Sequence, residues 1–287
     1  MKALSKLKSL LNRKMVVEPV EELIRSVPFS GSELAKEGSE FVDFIRERKR
    51  RKEGLHKSDI ADVFKHFSEL KLRDGYAIGA YCIVDFYGGC THPYVHRSDA
   101  AIEYKPVENF DNWNCRSSEY EMLGSKYRER PAVRPYEDSM LIMKNLEYWM
   151  AKSIPDYQEY VKVPWNELGI WQAFLFWDYA PTLELFWHGG YMVDYYVFSN
   201  DVLEKLAGKP RYEEVSDSLM NMKDNPKLLP HVRIDGDSAI ISYAYWNNWA
   251  GLVISKVKCE KVGNGAKFSR MKDLNEKLVE YDCGIRF

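Results

Sequence analysis

The strongest strand signal in this chain is the segment GIWQAFLFWDYAPTLELFWHGGYMVDYYVFS, residues 169–199. Trp171, Ala173, Leu175, Trp177 and Tyr179 alternate with Gln172, Phe174, Phe176 and Asp178, and a period of two sends successive side chains to opposite faces of a strand. Ala180-Pro181-Thr182 reads as one turn, and Gly189-Gly190 as the two-residue turn of a hairpin between LELFWH and YMVDYYVF. The expectation is a three-stranded meander.

The C-terminal third repeats this recipe. VRIDGDSAIISYAYW reads as a hairpin around Asp235-Gly236, AGLVISKVKCEKV as a strand, GNG as a turn and MKDLNEKLVEYD as a terminal helix. Strands are also expected over Tyr76–Phe86, after the turn signal Asp74-Gly75. Helices are expected from residue 1 to 15, from Ser32 to Gly54, from Ser58 through Leu70, over 137–151, and over DVLEKLA between Ser199 or Asn200 and Gly208. In the third of these, Ile60, Val63, Phe64, Phe67 and Leu70 trace an i, i+3, i+4, i+7 stripe. Strands and helices come in blocks rather than strictly alternating, which implies an α+β fold with mainly antiparallel sheet and flanking helices. Residues 1–54 read as a basic helical segment and 55–287 as the α+β body, with an aperiodic stretch at 106–135 as an excursion or an internal seam.

Composition limits the function classes. The 287 residues carry a net charge of −2, and the first 54 hold a surplus of basic residues, so the remainder is mildly acidic. A nucleic-acid-binding body leaves a basic footprint, which argues against that class. Five cysteines at 82, 90, 115, 259 and 283 follow no framework spacing and suit free thiols in a reducing compartment. With no long apolar run and no Asn-x-Ser/Thr acceptor, the chain reads as cytoplasmic and without a membrane span.

Three constellations invite chemistry. GGCTHPYVHRSD, residues 88–99, gathers Cys90, His92, His96 and Asp99, and thiolate with imidazole is a donor set zinc accepts. Pro93 biases His92 toward an extended backbone, and Cys-x-His-x3-His lacks the second ligand pair of recurrent zinc sites, so loop residues beside a strand end are the simpler reading. On the expected meander, Asp178, Glu184, His188 and Asp194 would face one another, and neighbouring carboxylates can split into an acid and a base. Alternating polar residues on a half-exposed sheet explain them without catalysis. The third is YWNNWAG: Tyr245, Trp246, Asn247, Asn248 and Trp249 at a strand-to-strand break have the aromatic and amide character of a recognition surface.

No phosphate-binding loop, GxSxG, HExxH or Cys-x-x-Cys occurs. The reading that follows is a non-enzymatic cytoplasmic protein that binds one protein partner, as an immunity factor or inhibitor binds a basic toxin, with no cofactor expected beyond zinc at the cysteine–histidine stretch. The alternatives are a hydrolase, glycosidase-like or metal-dependent, and a carbohydrate-binding protein.

Overall fold

The computed structural model describes residues 33–50, 59–85, 88–98, 114–117, 157–182 and 194–284. It is an α+β protein whose largest sheet is antiparallel. Two long strands form its centre: β8 (Ser238–Asn247) and β9 (Gly251–Val262) pair along the whole of β8. Their length dictates what happens outside them. The outer rim of β9 is shared by β10 (Gly265–Arg270), which covers its second half, and β11 (Glu276–Val279), which covers its first. That of β8 is shared by β7 (His231–Asp235) and the two-residue β6 (Tyr195–Tyr196).

Both expected C-terminal turns are present. Asp235 pairs with Ser238 around Gly236, and Val262 pairs with Gly265 around Gly263 and Asn264. Gly236 and Gly263 have φ of 57° and 60°, the left-handed conformations that a tight hairpin of this hand requires.

The first correction concerns 167–179. This segment is not a strand of a meander but the helix α3 (Glu167–Tyr179), numbered after α1 (Glu33–Arg50) and α2 (Asp59–His66). The Asn166 side chain caps it, accepting from Gly169 N at 2.7 Å, and Ala180–Thr182 extend it as a 3₁₀ turn where a plain turn was expected. Gly169 through Phe176 are all buried, so the helix is apolar on every side and shows no 3.6 period. A continuous apolar run is ambiguous between buried helix and buried strand, and the apparent alternation rested on two phenylalanines counted as its opposite phase.

The second correction is at the C-terminus. MKDLNEKLVEYD holds only a 3₁₀ turn, Lys272–Leu274, before β11. Beyond Arg270 the rim of β9 would leave its backbone groups unpaired, and pairing Glu276 with Ile254 and Lys277 with Val253 satisfies them.

A smaller sheet runs in the order β3–β2–β4, with β2 at Tyr76–Asp85, β3 at Gly88–Arg97 and β4 at Asn114–Ser117. The cysteine–histidine stretch is therefore strand rather than loop, and Gly88-Gly89 lies inside it. Pro93, which has no N–H to donate, is accommodated because β3 is an outer strand. β4 lies within the supposedly aperiodic 106–135. β1 (Lys71–Leu72) leads into the Asp74-Gly75 turn but pairs with β5 (Val161–Lys162) rather than with β2. The expected helices at 1–15 and 137–151, and the Gly189-Gly190 turn, lie outside the described residues.

Each face of the large sheet carries its own core. On one face α3 lies against Tyr243 and Phe268, with Phe174 ring centroids 4.8 and 6.3 Å away. Helices α1 and α2 close over its other side through Phe41 and Phe64, together with Phe67 just beyond α2. Leu34, Ala35, Phe41 and Ile45 of the basic segment thus belong to the body's main core. On the opposite face Ala244, Trp246, Leu252, Ile254 and Val279 pack with Leu203 and Leu206 of α4 (Asn200–Ala207), with Leu219 of α5 (Ser216–Met220), and with Tyr212 and Leu228. α4 runs between Ser199 and Gly208 as its sequence implies.

Gly251 opens β9 with φ of 82°, and a Cβ there would meet the Val279 carbonyl oxygen at 1.9 Å. Gly251→Ala is expected to lower stability by about 2 kcal/mol or more, combining backbone strain with displacement of β11. A denaturant titration of both proteins measures it.

Candidate functional site

Where α3 ends above the sheet, four elements place ionisable groups together. Asp178 sits one residue before the end of α3, where a carboxylate opposes the helix dipole. Its Oδ2 accepts from the Tyr196 hydroxyl of β6 at 2.5 Å, and its Oδ1 is paired with the Arg270 guanidinium at the end of β10. Arg270 also donates to the Tyr243 hydroxyl at 3.2 Å and lies 5.6 Å from the Trp177 ring centroid. Asp194, just before β6, accepts from the Asn247 side-chain amide at 2.7 Å, and Asn247 in turn accepts from Trp249 N.

The electrostatics follow from burial. The Asp178 side chain is only 5% exposed while that of Arg270 is 37% exposed, so the pair is open to water from the arginine side alone. Burial raises the Asp178 carboxyl above its ordinary range, opposed by Arg270 and the Tyr196 hydroxyl. Asp194 is pushed up to about 6, by burial first and by the Asp178 charge, with the Asn247 hydrogen bond pulling it down. Burial raises the Tyr196 and Tyr243 hydroxyls, and Tyr245 reaches about 12. Within the described side chains, the two oxygens of Asp178 are both occupied. The arrangement is a neutralised polar clasp joining helix to sheet.

Of the four carboxylate and imidazole candidates, Asp178 and Asp194 are within electrostatic reach of each other, although on a helix and a loop rather than on strands of one meander. Glu184 and His188 lie outside the described residues. Cys90, His92 and His96 lie on β3 opposite Ile83, Tyr81 and Ala77 of β2, and Asp99 lies outside the described residues. Among the described residues no group of three or more His, Cys, Asp or Glu is placed to hold a metal ion.

The YWNNWAG turn is anchored inward. Trp246 is 0% exposed, with ring centroids 4.9 Å from Tyr212 and 5.2 Å from Tyr281. Asn248 is buried and accepts from the Tyr212 hydroxyl at 2.7 Å, while Tyr245 and Trp249 are half-buried. What reaches the surface beside this column is a set of residues that the sequence reading did not single out. Tyr195 is 40% exposed, and the Lys209 ammonium lies 5.3 Å from its ring centroid and 5.8 Å from that of Tyr212. Arg211 lies 5.6 Å from the Tyr212 centroid. The run Lys209-Pro210-Arg211-Tyr212 was a readable cue; Arg270, far from Asp178 in sequence, had none.

Fold and site together define an α+β protein built on a two-faced antiparallel sheet with a polar clasp and an aromatic–cationic surface at one end. No protein-family model, no curated protein and no solved structure gives a significant match to the chain.

Asp194 binds its proton more tightly in the folded chain than in the unfolded one, so stability falls as pH rises from about 4 through 6. Asp194→Asn keeps the acceptor for Asn247 and removes the charge. It is expected to flatten that pH dependence and to gain up to about 3 kcal/mol on the native protein above pH 7, taking a shift of about two units. Urea denaturation at pH 4.5 and 7.5 tests both.

Proposed function

We propose that this chain is a cytoplasmic, non-enzymatic protein that binds one protein partner and acts by covering it, as inhibitors and immunity factors do. The observation that carries this reading is Tyr195: a large aromatic, exposed on the sheet rim, whose strand pairs it with Trp246 in a column of touching rings made by the buried Tyr212 and Trp246 and the half-buried Tyr281. Exposed tyrosines carried on a packed sheet rim are among the residues that dominate interface energetics. The polar clasp supports the same reading, because Asp178 is spent on Tyr196 and Arg270 rather than held open to a substrate. Among the described residues no helix is long and apolar enough to cross a membrane.

The test is capture by the tagged full-length chain from lysate of its native host. One stoichiometric partner, retained by wild type and by Asp178→Asn but reduced at least tenfold by Tyr195→Ala, is the expected result. Turnover of a substrate that Asp178→Asn abolishes in a folded variant would replace the reading with an enzymatic one.

A further inference from the structure

The surface around Tyr195 has a chemistry that the whole chain's charge conceals. Lys209 and Arg211 flank Pro210 on a turn of 3₁₀ helix, Pro210–Val215, that packs on the second core through the buried Tyr212 ring. Tyr195 and Tyr212 both flank the Lys209 ammonium, and Tyr212 also takes the Arg211 guanidinium. The Tyr281 hydroxyl donates to the Arg211 carbonyl at 2.9 Å and fixes the turn. A cation against an aromatic face keeps its charge while losing part of its water, which raises its attraction for an incoming anion.

Among the described residues, other cations have carboxylate partners, such as Lys223 with Glu204, Lys227 with Glu276 and Lys258 with Glu260. Lys209 and Arg211 make no ion pair among the described residues, although Glu213 and Glu214 follow on the same turn. Partial burial first, then the Arg211 and Arg46 charges, lower the Lys209 pKa; Arg46 is itself paired with Asp43, which leaves Lys209 and Arg211 as the two cations of the ledge.

We propose that the ledge formed by Tyr195, Lys209 and Arg211 docks an acidic segment of the protein partner. This rests on the partner-binding reading and revises its expectation of a basic partner: carboxylates would meet the two cations while an apolar or aromatic side chain packs on Tyr195. The chemistry is that of a carboxylate-rich peptide, read by charge and by an aromatic face together.

The probe is a fluorescein-labelled peptide of six glutamates and one phenylalanine, followed by anisotropy with the full-length chain in low salt. Binding that weakens with salt, falls at least tenfold in Lys209→Gln/Arg211→Gln, and stays within twofold in Lys256→Gln/Lys267→Gln supports the ledge. Thermal unfolding checks that each variant is folded, and the exposed Arg211→Gln alone, expected to lose at least threefold, is read should the double variant fail that check. Undiminished binding in the ledge variants, no binding by wild type, or tighter binding of a labelled twelve-residue oligothymidylate overturns the proposal. In the capture experiment, a partner kept by Lys209→Gln/Arg211→Gln overturns the ledge and leaves partner binding standing. Absence of any partner with wild type overturns both.

Discussion

Helix α3 has no face turned to water along Gly169–Phe176, and this constraint organises everything around it. A helix apolar on all sides must be covered on all sides. The sheet supplies one cover through Tyr243 and Phe268; α1, α2 and the residue after α2 supply the other through Phe41, Phe64 and Phe67. The few polar groups this encloses are spoken for. Trp171 Nε1 donates to the Leu34 carbonyl at 2.9 Å, and Gln172 takes Glu69 N, Glu37 and Ser68 as partners. Those bonds reach from α3 to α1 and to the bend that follows α2, so burial and polar satisfaction specify the same packing.

The same helix explains which parts of the fold were legible in the sequence. β7 to β10 could be read because their turns use glycine at left-handed positions and their faces alternate. α4 could be read from its flanking Ser199 and Gly208, although Ser199 makes no side-chain cap bond. α3 could not, because full burial erases the periodicity that distinguishes helix from strand. Its start was nonetheless signalled by Asn166 and Glu167 after Pro164, a capping pattern outweighed by the β-forming composition that follows. β11 could not be read because its reason lies in β9, whose backbone outruns β10.

The site was legible in pieces. Asp178 and Asp194 were found for a geometry they do not have, since their proximity comes from the C-terminal end of α3 meeting the loop before β6. Arg270 and Tyr196, which complete the clasp, arrive from distant sequence and carry no local mark. Trp246 has the composition of a recognition residue and the environment of a core residue; its even position on β8 puts it with Ala244 on the second core, while Tyr243 goes to the first. Sequence alone gives the alternation but not which faces are covered.

The sharing of each rim of the large sheet between two short strands has a further consequence. A long, regular outer strand offers a row of open hydrogen-bonding groups on which another chain can add itself, the first step of sheet-based aggregation. Here the rims are β6 with β7 and β10 with β11, each pair interrupted where one strand ends and the next begins, and β11 shifts register between Lys277 and Val279. An intruding strand would find no more than six residues in line on the longest of these segments, β10. Among the described residues, the large sheet of a chain rich in strand-forming aromatics thereby offers only short, broken edges as a template for copies of itself.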